Sequence, residues 1–246
     1  MTYQTSSRRE FLLCLLITLL LPVGSSRAAE GSTANAIRVA CVGDSITYGS
    51  GLTNRQHDAY PAVLGRLLGS GWDVRNFGHG GATLLQKGNL PYFKQKEHEE
   101  ALAFAPDMVV IMLGTNDSKH PGDGSLDAEK ATDNWQYKSD YVPDYGKLIA
   151  GFRKVNPKVK VYVCLPTPCF PGRWGINDKT IHDEIIPLVR DVAQSDDASV
   201  IDLNTALAGK SNLFPDTVHP NPEGAKLMAA AIYQALTGKE APANAK

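Results

Sequence analysis

The chain has 246 residues, 43% of them hydrophobic and 21% charged, with a formal net charge of −1. That composition fits one globular domain with enough apolar residues to bury a substantial core. A charge balance so close to neutral offers no electrostatic footprint for a nucleic acid or an acidic membrane surface.

The amino terminus reads as an export segment outside the fold. Residues 11–22, FLLCLLITLLLP, form an apolar run too short to cross a bilayer as a helix. Arg8 and Arg9 precede it, and Ser26-Arg27-Ala28 supplies a small-x-small cleavage site. Residues 1–28 are therefore expected to be a bacterial-type secretory signal. The mature protein is expected in the periplasm or outside the cell, without stable membrane insertion after cleavage. SRREFL at 7–12 resembles the twin-arginine export signal, and an ordinary Sec signal or an uncleaved anchor are the other readings. Cys14 departs with the signal and leaves Cys41, Cys164 and Cys169, an odd set that argues against a disulfide framework. Cys164 and Cys169 are close enough in sequence to bridge a loop, although Cys164 also reads as a strand residue. No Cys/His spacing resembles a zinc site.

From residue 29 onward, strand and helix patterns alternate. AIRVACVG (36–43) is a short β-branched apolar run, AYPAVLGRLLGS (59–70) has helical periodicity, and WDVRNFG (72–78) reads as a strand. A helical stretch is expected from about 88 to 104. PDMVVIMLG (106–114) is the most apolar strand and is expected at the sheet centre, covered on both faces. Residues 141–156 read as a helix, 159–166 as a strand, and 178–195 as a helix kinked at Pro187. Residues 198–204 give the last strand, 221–238 the last helix, and 241–246 a disordered polar tail. Five strands with helical or loop crossovers are too few for an eight-stranded barrel. They predict a single α/β domain over 29–240, three layers deep, with an open, doubly wound, five-stranded parallel sheet of flavodoxin type.

In such sheets the ligand sits beyond the carboxyl ends of the strands. Ser45 follows the first strand, Gly78 to Thr83 the second, Gly114 to Asp117 the third, and Asp216 and His219 the fifth. A serine hydroxyl needs a base to become a nucleophile, and imidazole suits that work near neutral pH. The imidazole in turn needs its second N–H held, which a carboxylate three residues back in a turn can do. Asp216 and His219 have that spacing. Each feature also has a plainer reading. Ser45 can cap a helix, Asp216 can cap the last helix, Asn116 and Asp117 can form an Asx-turn, and the glycines can form a tight strand-to-helix turn. Position 47 is threonine, so no Gly-x-Ser-x-Gly elbow is present, and no Gly-Lys-Ser/Thr phosphate loop occurs.

Taken as a set, GDSIT (43–47), NFGHGGAT (76–83), GTND (114–117) and DTVH (216–219) resemble the GDSL or SGNH family of serine esterases and lipases. The resemblance implies Ser45 as nucleophile, His219 as general base and Asp216 as its orienting acid. It implies oxyanion donors from the backbone N–H groups of Ser45 and Gly81 and the side chain of Asn116, and neither metal nor organic cofactor. Isoleucine at 46 replaces the leucine of the family name.

Substrate is read from the loops at 118–143 and 167–177, which are polar with scattered aromatics, among them Trp135 and Trp174. Flat aromatics stack on sugar C–H faces, so a small acyl group on a carbohydrate is expected, with export suiting extracellular polysaccharide. The other reading of Trp135 and Trp174 is that they pin their loops to the core. His79 is expected to line the acyl pocket, and His57, His98 and His182 to lie at the surface. The expected activity is hydrolysis of short O-acyl, above all O-acetyl, esters. Lysophospholipase, thioesterase or arylesterase, O-acetyltransferase and non-catalytic carbohydrate-binding protein are the alternatives.

Overall fold

In the computed structural model the five apolar runs hydrogen-bond into one parallel sheet. Residues 1–3, 36–121, 125–127 and 132–242 are described. The chain divides into two units, Met1–Ser32 and Thr33–Lys246, and the fold belongs to the second. The export segment expected at 1–28 lies outside the described residues from residue 4 on, as do residues 243–246 of the expected tail.

The strands are β1 (Ile37–Gly43), β2 (Trp72–Gly78), β3 (Met108–Met112), β4 (Lys160–Leu165) and β5 (Ser199–Asp202). Their order is β2-β1-β3-β4-β5, every pair parallel. The helices are α1 (Ser45–Tyr48), α2 (Arg55–Asp58), α3 (Tyr60–Leu68), α4 (Lys96–Ala103), α5 (Tyr141–Val155), α6 (Asp178–Thr180), α7 (Ile186–Ser195), α8 (Leu203–Leu207) and α9 (Pro222–Thr237). All five residues of β3 are buried, as a central strand covered on both faces requires.

Strand side chains alternate between faces, and the alternation divides the core in two. Ala40, Val42, Val109 and Ile111 pack with Leu148, Ile149 and Phe152 of α5 and Val189 and Val192 of α7. Val39, Cys41, Val110 and Met112 pack with Val63 and Leu64 of α3 and Met228, Ala229 and Ile232 of α9. The result is the three-layer α/β/α sandwich expected from the sequence.

Three local expectations are corrected. The helix expected from 88 starts only at Lys96, because residues 90–92 are held extended against Thr83: its N–H donates to the Leu90 carbonyl, and the Tyr92 N–H donates to the Thr83 carbonyl. Pro91 reinforces this by keeping the residue before it out of helical geometry. The helix expected at 178–195 is interrupted by a π-helical turn, Ile181–Ile185, and Pro187 falls in the first turn of α7, where a missing N–H costs little. Strand β5 ends at Asp202, whose carboxylate accepts the Thr205 N–H at 2.8 Å and caps the unexpected α8.

The three described cysteines are all free and buried. Cys164 and Cys169 do not pair, because Cys164 packs into the core on the α3/α9 face while Cys169 packs into the opposite one. Among the described residues no helix is long and apolar enough to cross a membrane.

Ile111 is fully buried at the centre of the α5/α7 face. Ile111→Ala is expected to lower the free energy of unfolding by about 2–5 kcal/mol through lost transfer and a residual cavity. Urea titration should show this as a lower midpoint with an unchanged slope.

Candidate active site

Strand β1 runs straight into α1, and the junction frees a serine. Asp44 is fully buried, and its Oδ1 accepts the Ile46 N–H at 2.9 Å, so Asp44 caps α1 rather than Ser45. Ser45 becomes the first helical residue, 8% exposed, with its hydroxyl turned elsewhere. Strand β2 ends close against α1. A Cβ on Gly78 would lie 2.2 Å from the Tyr48 backbone nitrogen, so only glycine permits the approach.

The loop after β2 and the loop after β3 are joined through side chains. Asn116 donates its amide to the Ala82 carbonyl at 3.1 Å. The Asp117 carboxylate accepts the Leu84 N–H at 3.0 Å and the Leu85 N–H at 2.7 Å. Asp117 is thus no local Asx-turn; it clamps the loop that carries Gly81, which itself takes a left-handed φ of +81°.

His219 comes to Ser45 from the far end of the chain. Its Nε2 lies 2.8 Å from Ser45 Oγ, and its Nδ1 lies 2.7 Å from Asp216 Oδ2. The same carboxylate accepts the backbone N–H groups of Val218 and His219 through Oδ1, at 3.0 and 2.7 Å. Partial burial pushes the Asp216 carboxyl up, but the backbone N–H of His219, its ring and the Val218 N–H together outweigh that and hold it below its ordinary value. Thr217, between them, sits at φ +76°, a strained setting for a β-branched residue. It is held by the Thr217 N–H donating to the Phe214 carbonyl and the Phe170 N–H donating to the Thr217 carbonyl. Asp216 does not cap α9, because Asn221 does, accepting the Gly224 N–H at 3.0 Å.

A cavity of about 270 Å³ opens at this point, lined by Ser45, Ser50, Gly80, Gly81, Asn116, Lys119, Trp174, Ile176 and His219. The backbone N–H groups of Ser45 and Gly81 have no partner among the described residues. A larger cavity, about 390 Å³, is lined by Tyr48, Arg55 and Lys96 among others and contains none of Ser45, His219 and Asp216. The chemistry therefore marks the smaller one. A carboxylate, an imidazole and a hydroxyl in line, beside unpaired donors, form an arrangement suited to activating the hydroxyl for attack on a carbonyl. Among the described residues no group of three or more His, Cys, Asp or Glu side chains is placed to hold a metal ion.

Five predicted residues, Ser45, Gly81, Asn116, Asp216 and His219, are brought together, and Trp174 joins them. Trp174 is 44% exposed, with its ring centroid 5.6 Å from that of His219. Two expectations are corrected. His79 is not among the residues lining the cavity; its Nδ1 is paired with Glu97 of α4 at 2.9 Å. Trp135 is buried, donates its indole N–H to Glu184 at 3.0 Å and packs edge-on against Tyr141, so it anchors its loop. His57 and His182 are exposed as expected, but His98 is half-buried against Tyr92 and Phe93, and burial lowers its proton affinity. Lys119, Ser50 and Ile176 were not legible as cavity residues. Lys119 alone carried a usable signal, lying three residues after Asn116 so that one turn puts both on one side.

The profile of the GDSL-like lipase/acylhydrolase family matches residues 41–227. An acetylxylan esterase of Xylanibacter ruminicola is 40% identical over 220 residues, covering 82% of this chain but only 43% of its own length, so the chain spans less than half of that relative. Among solved structures, Est24, a carbohydrate acetylesterase from Sinorhizobium meliloti, superposes with a TM-score of 0.63 at 21% identity, over 82% of this chain and 99% of its own. A catalytic mutant of the acetylxylan esterase Axe2 from Geobacillus stearothermophilus gives 0.62 at 22%, over 82% and 94%. These similarities support the same sandwich fold.

The two buried carboxyl groups behind the site make stability depend on pH. Burial pushes Asp117 up to about 7, helped by neighbouring Asp44 and opposed by the Leu85 and Leu84 N–H groups, and pushes Asp44 up to about 6. A carboxyl raised above its ordinary 3.8 favours the fold when protonated. Its contribution is complete below about pH 3.8 and is lost as pH rises through about 7. Unfolding free energies measured in urea at pH 5 and pH 8 should therefore fall by less between the two in Asp117→Asn than in the wild type.

Proposed function

The chain belongs to the GDSL-like lipase/acylhydrolase family, and on that premise we propose that it is a serine esterase. It removes short O-acyl groups, O-acetyl first among them, from carbohydrates through an acyl-Ser45 intermediate. The observation that carries the reading is the continuous line from Asp216 through His219 to Ser45, at 2.7 and 2.8 Å.

In this reading Ser45 Oγ forms a bond to the ester carbonyl carbon while His219 Nε2 takes its proton. Asp216 keeps the imidazole in the tautomer that presents Nε2 and offsets the positive charge that develops on it. The carbonyl oxygen, now negative, accepts hydrogen bonds from the backbone N–H groups of Ser45 and Gly81 and from the Asn116 amide. The carbon–alkoxide bond then breaks, and the alcohol leaves with the proton from His219. A water molecule gives its proton to His219, attacks the acyl carbon and releases the carboxylic acid, restoring Ser45. Three features support a small acyl group on a sugar. The cavity of about 270 Å³ is small for a long acyl chain. Trp174 presents an exposed ring beside His219. The relative at 40% identity is an acetylxylan esterase. Export on residues 1–28 belongs to the same proposal, because polymeric acetylated glycans lie outside the cell.

Ser45→Ala should lower kcat on 4-nitrophenyl acetate by about a thousandfold or more, and Asn116→Ala by about a hundred- to a thousandfold. Unchanged turnover in Ser45→Ala sinks the mechanism. A screen of acetyl, octanoyl and palmitoyl esters beside acetylated xylan should give the highest kcat/KM for acetyl substrates, and a preference for palmitoyl esters overturns the substrate reading.

A further inference from the structure

Lys119 is a cation with no ion-pair partner among the described residues, in the place where substrate must bind. It lines the same cavity as Ser45, Asn116 and His219. Its backbone is held from three sides. The Lys119 N–H donates to the Asn116 carbonyl, and the Lys119 carbonyl accepts the N–H groups of Asn134 and Trp135. The next residue, His120, donates its N–H to the Gly175 carbonyl, tying Lys119 to the loop that carries Trp174. The ammonium itself has no carboxylate within ion-pair distance among the described residues, whereas Lys87, Lys138, Lys147 and Lys226 all do.

A cation that is mostly buried and unpaired is unfavourable. Burial pulls the Lys119 ammonium below its ordinary value, and the fields of Asp44, Asp117 and Asp127 work against that. Those carboxylates are not its partners. Asp44 accepts from Ile46, Asp117 from Leu84 and Leu85, and Asp127 from Ser125 and Gly175. A lysine kept as their counter-ion would pair with one of them directly. Lys119 instead lines the cavity with no ion pair among the described residues.

We propose that Lys119 is a specificity-determining residue that binds the carboxylate of an acidic sugar, so that the preferred substrate is an acyl ester on or beside a uronic acid. The inference rests on the esterase reading and deepens it. On a carbohydrate the carboxylate of a uronate is the monoanion that one lysine complements. A phosphate dianion calls for more positive charge than this cavity supplies, since Lys119 is the one lysine or arginine among its lining residues.

The test compares acetate release from an O-acetylated methyl glucuronoside with acetate release from its carboxyl methyl ester, in which one added methyl group removes the charge. The readout is the ratio of kcat/KM for acid over ester at low salt. It is expected to be about ten or more in the wild type, to drop to within about twofold of unity in Lys119→Met, and to recover in Lys119→Arg. In the wild type it should also fall as salt is raised from about 0.01 to 0.5 M, where screening shortens the reach of the charge. A wild-type ratio at or below one, or a ratio unmoved in Lys119→Met, overturns the assignment while leaving the esterase reading intact. Failure of the wild type to turn over either sugar ester or 4-nitrophenyl acetate sinks both.

Discussion

The candidate site depends on one buried carboxylate. Asp117 stands directly after Asn116 on the loop that follows β3, and its two oxygens take the N–H groups of Leu84 and Leu85 on the loop after β2. That pair of bonds fixes the distance between Gly81 and Asn116, two of the three groups that would receive a developing oxyanion. The loop could not hold itself there. Its backbone is irregular, its glycines carry no side chains to pack, and N–H groups buried without acceptors would be costly. Placing the acceptor on the neighbouring strand's loop turns two separate turns into one rigid rim. The cost is a carboxylate taken out of water next to Asp44, which is why both carboxyl groups hold their protons to unusually high pH.

Strand order decides which loops can be joined in this way. In the order 2-1-3-4-5 the chain turns to opposite sides of the sheet after β1 and β3, opening a crevice between their carboxyl ends. Ser45 follows β1 and Asn116 follows β3, so the hydroxyl and the amide meet at the crevice because of topology. Gly81 comes from the loop after the neighbouring β2, and His219 and Asp216 arrive on the segment that leads from α8 into α9.

The sheet was legible because its signal is local. Five apolar runs bounded by turn residues describe a parallel sheet before any contact is known, and the strands from Ile37 and from Trp72 begin and end within a residue of where the pattern puts them. The four motif blocks were legible for a similar reason: each holds residue types whose chemistry is recognisable at short spacing. What was not legible is long-range pairing. The segment 88–95 reads as helical by composition, yet its backbone is committed to Thr83. His79 sits inside the glycine block and reads as a pocket residue, yet it answers to Glu97, eighteen positions away. Trp135 and Trp174 look alike in sequence, and only the presence of Glu184 beside one indole and His219 beside the other separates an anchor from a cavity wall. Lys119 offered only its spacing from Asn116, because its importance lies in having no ion-pair partner among the described residues.

A division of labour recurs at both ends of the hydrogen-bonded line. Ser45 and Asp216 each begin as the obvious cap for an adjacent helix, and in each case a neighbouring Asx residue does the capping. Asp44 takes the Ile46 N–H for α1, and Asn221 takes the Gly224 N–H for α9. A capping side chain is bound to its own helix and unavailable for anything beyond it. By moving that task one residue back at the serine and five residues on at the aspartate, the chain leaves Ser45 Oγ and Asp216 Oδ2 with a single shared neighbour, the imidazole of His219. The left-handed Thr217 follows from the same demand. With Asp216 released from α9, one carboxylate must reach two backbone N–H groups and a ring nitrogen within three residues, and a relaxed backbone would not bring all three to it.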